Sequence, residues 1–192
     1  MLRRGAIVVF GAMLASCAAA GTAPANDELP RIKDRSTLRI ELVRTVCYGT
    51  CPMYGVEILG DGTVTYCGIH FVDQVGERSR RVVDADLSEL VAQFHAADFL
   101  TLNDEYAATA TDGPTYAVTI AYDDKSKSVI DYFGEEAGMP ISVTALEDAI
   151  DRIAGTSEWI GQGAFGYASE WPACAERFGV PGPTIVFPEP TE

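Results

Sequence analysis

A short apolar segment that ends in a cysteine near the N-terminus constrains this chain more than any other feature. Two arginines precede the uninterrupted apolar or small residues 5–14, and Leu-Ala-Ser-Cys then occupies residues 14–17. A basic start, a short apolar stretch and a small-residue cleavage site are typical of an export signal. A cysteine at the cut is typical of the lipobox of bacterial lipoproteins. The pattern predicts that residues 1–16 are removed, that Cys17 is the lipid attachment site, and that the domain folds in an oxidising compartment.

Three other interpretations of this segment are an ordinary cleaved signal, a buried helix and a membrane span. Ten apolar residues are too few for a span, because a hydrocarbon core needs about 20. A buried first helix rarely begins with two arginines and ends in a small-residue box before a cysteine. Ala18 follows Cys17, and by the usual sorting convention of two-membrane bacteria a residue other than Asp favours the outer membrane. We therefore expect an exported lipoprotein that is anchored to the membrane by its acyl chains.

The charge balance narrows the class of partner. The chain has 14 basic and 28 acidic residues and a net charge of −14. Such an acidic surface repels nucleic acid and anionic lipid headgroups, so no nucleic-acid partner is expected. It favours solubility and suits cationic partners. The expected partners are the membrane, through the N-terminal lipid, and an unknown envelope protein or small ligand.

Composition along the chain predicts one domain between two irregular segments. Residues 17–35 begin with an Ala-rich stretch that also contains Gly and Pro, which is typical of a flexible tether. Residues 36–160 carry the periodic apolar patterns, and 47% of the whole chain is hydrophobic, enough for a real core. Residues 161–192 are rich in Gly and Pro and are expected to form an extended C-terminal extension.

Alternating apolar and polar residues predict strands over 38–43, 54–58 and 63–68. Gly60-Asp61-Gly62 supplies a tight turn between the second and third of them. A second hairpin follows, with strands over 116–122 and 128–133 that are joined by Asp123-Asp124-Lys125. The polar residues 76–81 are expected to be a loop or an edge, and 103–114 a turn-rich loop.

Two amphipathic helices complete the predicted fold. Asp86 and Glu89 match a capping box, and the apolar stripe behind it is Leu87, Leu90, Val91 and Phe94. Ser142 is the expected N-cap of the second helix and Gly155 its end; the stripe between them is Val143, Leu146, Ile150 and Ile153. Consecutive hairpins without crossover helices predict an α+β fold, with an antiparallel β-sheet built from hairpins and two helices packed on one face.

Four cysteines remain once Cys17 carries lipid, and an oxidising compartment makes disulfides the default. Cys47 and Cys51 cannot bond on a straight strand, but Gly49 lets the chain fold back. By the chain-entropy relation, this short loop contributes about 2 kcal/mol, whereas a Cys67–Cys174 bond closes about 100 residues and contributes about 5 kcal/mol. Of three possible pairings, we therefore favour Cys47–Cys51 with Cys67–Cys174.

The same region carries a family resemblance. Residues 44–54 read R-T-V-C-Y-G-T-C-P-M-Y and residues 61–68 read D-G-T-V-T-Y-C-G. They resemble the R-T-x-C-Y-G-x-C-P-x-Y and D-G-x-V-x-Y-x-G motifs of DUF6438, a bacterial family of unknown function; residues 97–99, 111–114 and 159–160 resemble further pieces of it. The resemblance covers roughly residues 38–160. It implies a small α+β domain, often in exported proteins, and it implies no activity, no catalytic residue and no pairing for Cys67 and Cys174.

Recognisable catalytic chemistry is missing from the sequence. It contains no G-x-S-x-G, no H-E-x-x-H and no phosphate-binding glycine loop. Only two histidines are present, and exported cysteines oxidise in preference to binding zinc. We therefore predict no catalytic residue, no metal and no cofactor, and an enzyme is the less favoured interpretation.

The favoured function is a non-catalytic binding or interaction module of unknown ligand. Tyr48, Met53 and Tyr54, next to the cysteine loop, are the predicted binding patch, although core packing is the commoner fate of such residues. The alternative is a thiol–disulfide redox or sensing role at Cys47 and Cys51. Against it, the spacing is not C-x-x-C and no helix N-terminus follows to depress a thiol pKa. A hydrolase without a recognisable motif is the third possibility.

Overall fold

The computed structural model describes residues 32–162 and 172–179. Cys17, the predicted signal segment, most of the predicted tether and most of the predicted C-terminal extension lie outside these residues. Seven strands are present in the described part: β1 (Arg39–Arg44), β2 (Met53–Leu59), β3 (Thr63–His70), β4 (Gly76–Arg81), β5 (Glu105–Ala107), β6 (Tyr116–Tyr122) and β7 (Lys125–Tyr132). Its α-helices are α1 (Asp84–Ala96), α2 (Ile141–Ala154) and α3 (Ser157–Ile160), and its 3-10 segments are Arg35–Thr37, Phe99–Thr101, Gly134–Ala137 and Ala173–Phe178.

The strands form one sheet in the order β4-β3-β2-β1-β6-β7-β5. The α+β class is confirmed, but the sheet is mixed and not purely antiparallel, because β5 runs parallel to β7. β5 lies within residues 103–114, which were predicted to be a loop. Three residues are too few to show strand periodicity, and Tyr106 alone is buried there. Its partner β7 supplies the open edge that a short strand can join.

β4 is an edge strand with mostly exposed side chains, which is one of the two alternatives expected for residues 76–81. The start of β7 differs from the sequence-based expectation. β7 begins at Lys125, which already pairs with Tyr122, so the hairpin turn is two residues long. The sequence prediction of a strand depended on its apolar face. The first residues of β7 are largely exposed and show no such face.

Both predicted helix N-caps are wrong, whereas Gly155 ends α2 as predicted. α1 begins at Asp84, before the expected box, and its N-cap Val83 makes no side-chain hydrogen bond. The two aspartates in its first turn face the positive end of the helix dipole instead. α2 begins at Ile141 after Pro140, so Ser142 lies inside the helix. No helix among the described residues is both long and apolar enough to span a membrane.

The larger core contains side chains of the central strands, α1 and α2. Alternate residues of the central strands point into it, and registers such as Ile40 with Ile58 and Leu42 with Val118 place them in line. They pack in one cluster with residues of both helices. The fully buried members of this cluster with large side chains include Leu38, Ile40, Leu42, Ile58, Tyr66, Leu87, Leu90, Phe99, Leu146 and Ile150.

A smaller core occupies the opposite side of β2 and β3. Met53, Cys67 and Ile69 pack there against Ala175 and Phe178 of the last 3-10 segment. Gly55 is required under this contact, because a Cβ at that position would lie 2.3 Å from the Phe178 ring. Arg177 of the same segment also forms an ion pair with the buried Glu57.

Two disulfide bonds are present among the described residues, so the prediction of disulfides is confirmed. Cys47–Cys51 closes the β1–β2 connection with a Cα–Cα distance of 5.6 Å. Cys67–Cys174 joins β3 to the last 3-10 segment, 107 positions later, with a Cα–Cα distance of 5.8 Å. The two bonds therefore constrain very different lengths of chain.

We predict that removing the long-range disulfide destabilises the protein more than removing the short one. The double variant C67A/C174A is expected to lose about 5 kcal/mol of unfolding free energy and C47A/C51A about 2 kcal/mol, because the longer loop restricts the unfolded chain more. Denaturant unfolding of both variants and the oxidised wild type measures the difference. Equal losses, or a larger loss for the short loop, would contradict this prediction.

Candidate functional site

A row of polar and aromatic side chains crosses the end of the sheet beneath α2. Tyr54 of β2 pairs with Arg44 of β1, Arg44 pairs with Tyr116 of β6, and Tyr116 pairs with Asp131 of β7. Directly paired residues point to the same face of a sheet. All four side chains therefore lie on the side that carries the larger core.

Asp151 of α2 collects the hydrogen bonds of this row. Arg44 donates from Nε at 3.0 Å and its Nη2 lies 2.9 Å from the same carboxylate. The Tyr54 hydroxyl donates to Asp151 Oδ1 at 2.7 Å, and the Thr156 hydroxyl donates to that atom at 2.7 Å. Arg44 also stacks over the Tyr116 ring, 4.2 Å from its centroid. One carboxylate thus binds the first and the last residue of the 44–54 motif.

Burial and neighbouring charges fix the protonation of these groups. Burial disfavours the charge on Arg44, but its interactions with Tyr54, Asp151 and Glu147 raise the Arg44 pKa overall. The guanidinium therefore stays charged. Burial, followed by the Asp151 charge, raises the pKa of Tyr54. The Tyr54 hydroxyl therefore stays protonated and serves as a donor.

Glu147 lies one helical turn before Asp151, and its carboxyl group has fewer hydrogen-bond partners than that of Asp151. Its side chain is 2% exposed and its Oε2 lies 3.9 Å from Nη1 of Arg44. Its Oε1 is buried and receives no hydrogen bond from any described residue. Burial raises the Glu147 pKa to about 8; Arg44 opposes this shift, and the charge and hydrogen bonding of Asp131 add to it. At neutral pH the Glu147 carboxyl is therefore mostly protonated.

Glu147 and Asp131 open onto a cavity of about 390 Å³. Four acidic residues and no basic residue line it among the described residues; the residues that matter for binding are Tyr116, Asp131, Phe133, Glu135, Glu136 and Glu147. The Gly134 amide donates to Asp131 Oδ1 at 2.6 Å and the Thr144 hydroxyl donates to Glu135 at 2.8 Å. A Cβ on Gly134 would lie 2.8 Å from that Asp131 oxygen, so this close approach needs glycine.

The arrangement is suited to holding a cation. Two carboxyl groups in contact, one of them buried, need either a shared proton or a positive charge. Within residues 32–162 and 172–179, no group of three or more His, Cys, Asp and Glu is placed to hold a metal ion. The aromatic rings of Tyr116 and Phe133 beside the carboxyls resemble the lining of sites for organic cations.

The predicted binding patch does not form one surface. Tyr48 is 89% exposed, whereas Met53 and Tyr54 are buried. Met53 packs in the smaller core and Tyr54 in the larger one, because consecutive residues of a strand point to opposite faces. Cys47 and Cys51 are half-buried on either side of the exposed Tyr48, whose amide donates to the Asp112 carbonyl at 3.0 Å.

The Asp131–Glu147 pair was not found from the sequence. One signal was present: Glu147 follows Val143 by four residues and precedes Ile150 by three, so it lies on the apolar stripe of α2. A charged residue on a buried stripe is rare unless it is paired. Asp131 carries no comparable signal, because only the sheet register places it opposite the helix.

We predict that Asp151→Ala lowers the unfolding free energy by about 3 kcal/mol, because it leaves the partly buried Arg44 charge and the Tyr54 hydroxyl without their acceptor. Asp148→Ala is the matched control on the same helix. Asp148 is 80% exposed and lies 4.0 Å from Arg44, so its loss is expected to stay within about 0.5 kcal/mol. Chemical denaturation measures both, and similar losses would show that Asp151 does not hold the motif.

The comparisons with known proteins identify the family of this chain. No curated protein matches this chain. A family model described as "Domain of unknown function (DUF6438)" matches residues 38–154. This range runs from just before β1 to the last residue of α2, so it contains Arg44, Tyr54, Asp131, Glu147 and Asp151. The resemblance predicted from the sequence is confirmed, and the chain belongs to this family of domains of unknown function.

Proposed function

We propose that the protein is a lipid-anchored lipoprotein of the bacterial cell envelope whose disulfide-braced domain is a non-catalytic binding module. The observation that carries the binding role is the cavity beside Glu147. Its volume of about 390 Å³ falls within the range of small-ligand pockets. It also combines apolar rings with a few convergent polar groups, as such pockets do.

The anchoring part of the proposal rests on the N-terminal sequence. Cys17 follows a basic, apolar and small-residue segment that is typical of lipoprotein signals. Its acyl chains would hold the domain at the membrane, and Ala18 favours the outer membrane. The two disulfides support an exported location, since such bonds persist in oxidising compartments.

The fold supports a rigid module at the end of this tether. In the proposed arrangement both long helices cover one face of the sheet, which is supported by their shared core with the central strands. The opposite face is braced at β3 by the Cys67–Cys174 bond. A rigid scaffold of this kind keeps the carboxyls of a binding pocket in fixed positions.

Labelling with a fatty acid tests lipid attachment at Cys17. When the full chain is expressed in a bacterium fed an alkyne-tagged fatty acid, the wild type is expected to become labelled and Cys17→Ala is expected to lose all label. Only the thiol at this position accepts the diacylglyceryl group. Ser16→Ala keeps the small-residue box and is the matched control, with label expected at the wild-type level. An unlabelled wild type, or label that survives in C17A, would overturn the anchoring.

A redox role at Cys47 and Cys51 is the second candidate function, because Tyr48, Gly49 and Thr50 between them are exposed and leave the loop accessible to a partner. For a bracing bond we expect both disulfides to stay oxidised down to about −300 mV in defined thiol buffers. Alkylation of free thiols followed by peptide mapping measures this for each bond. Reduction of Cys47–Cys51 alone near about −200 mV, with the fold intact by circular dichroism, would favour the redox role.

A further inference from the structure

We propose that the cavity beside Glu147 binds the protonated amine of a small organic molecule. This inference rests on the proposed binding function and deepens it by naming the ligand class. The amine would lie in the cavity beside the Asp131 and Glu147 carboxyls, with its carbon chain toward the rings of Tyr116 and Phe133.

The buried oxygen of Glu147 is the first reason. A carboxyl oxygen with no hydrogen-bond partner is costly inside a protein, because it has lost its water without gaining a partner. Oε1 of Glu147 is such an atom, and the residue lines the cavity. An N–H group in the cavity would supply the missing hydrogen bond.

The charge around the cavity is the second reason. Asp131, Glu135, Glu136 and Glu147 line it, and no described basic residue does. Arg44 is the nearest cation, but its Nε and Nη2 are already bound to Asp151 at 3.0 and 2.9 Å. It lies 3.9 Å from Glu147 Oε2 and leaves Oε1 without a donor. The cavity therefore attracts positive charge, and its own side chains do not supply it.

The lining distinguishes an amine from other cations. The rings of Tyr116 and Phe133 favour an organic cation over a hydrated metal ion, through cation–π attraction and apolar contact. A quaternary ammonium would satisfy the rings but has no hydrogen to donate to Oε1. A primary ammonium group satisfies both requirements.

Binding of this kind is coupled to proton release. Glu147 is faced by Arg44 from β1, by Tyr116 and Asp131 from β6 and β7, and by Glu135 and Glu136 from the 3-10 segment that follows; Asp148 and Asp151 lie on its own helix. Because its pKa is raised to about 8, Glu147 holds a proton at neutral pH when no amine is bound. An ammonium group favours the ionised form, so each bound amine displaces up to one proton into the buffer.

The test is calorimetric titration of the full chain, exported and purified in mild detergent, with n-butylammonium chloride. We expect the affinity to rise by up to about tenfold per pH unit from about pH 6 and to level off above about pH 8, while the amine stays protonated as a lysine does. Titrations in buffers with different ionisation heats are expected to show proton release near neutral pH. Tetramethylammonium chloride is expected to bind at least about tenfold more weakly, because it cannot donate to Oε1.

Two variants make the test specific to Glu147. Glu147→Gln keeps the shape of the side chain and is expected to weaken n-butylammonium binding by at least about tenfold and to abolish proton release. Asp124→Asn removes one charge from the exposed β6–β7 turn and is the matched control, with affinity expected within about twofold of the wild type. The pH profile of the wild type needs no variant and decides the question independently.

Three results would contradict amine binding at Glu147. The inference is overturned if a folded wild type binds no n-butylammonium at about pH 8, if tetramethylammonium binds as well, or if calcium chloride binds in preference. The last two outcomes would leave the proposed binding function standing with another ligand class. Failure of the lipid-labelling experiment would instead remove the anchoring and leave amine binding untouched.

Discussion

The bonds that Asp151 accepts from Arg44 and Tyr54 determine the geometry of this end of the molecule. Arg44 is the last residue of β1 and Tyr54 lies at the start of β2, so one carboxylate on α2 ties together both strand ends that flank the Cys47–Cys51 loop. The disulfide bond closes the loop itself, and Asp151 connects the two residues, Arg44 and Tyr54, between which the loop lies. This constraint explains why a motif that contains two cysteines also needs an arginine and a tyrosine at its ends.

The same constraint shapes the cavity. Because Asp151 takes the hydrogen bonds of Arg44, the guanidinium is held against the Tyr116 ring, and its Nη1 stays 3.9 Å from Glu147 Oε2, beyond hydrogen-bond distance. Glu147 therefore sits near a positive charge without being neutralised by a hydrogen bond to it. The cavity stays acidic because Arg44, the nearby cation, is bound to Asp151. If Arg44 were free, it could pair with Glu147 in place of the proposed external cation.

The sequence predicted the elements in which apolar residues recur with a regular period over several positions. It did not predict elements that are very short or whose position depends on strand pairing in the sheet. Patterns over β1, β2, β6 and α2 were readable because burial imposes a period of two or of about 3.6 residues. β5 shows no such period, and its parallel pairing with β7 depends on which strand edge is left open. Helix starts were misplaced because aspartates near the dipole, and not side-chain caps, begin α1. Asp131 and Glu147 are far apart in sequence, so only the assembled sheet and helix bring them together.

Glu147 is difficult to explain as a purely structural residue. Its ordinary pKa near 4.5 is raised to about 8 in the folded protein, so the folded state binds its proton more tightly than the unfolded state does. By linkage, the contribution of this group to stability is fully present below about pH 4.5 and is lost as the pH rises through about 8. At neutral pH Glu147 therefore lowers stability, and an apolar residue on the same stripe of α2 would pack without this loss. The amine proposed for this cavity would bring positive charge to Glu147 and offset the loss, because it would bind the folded state alone.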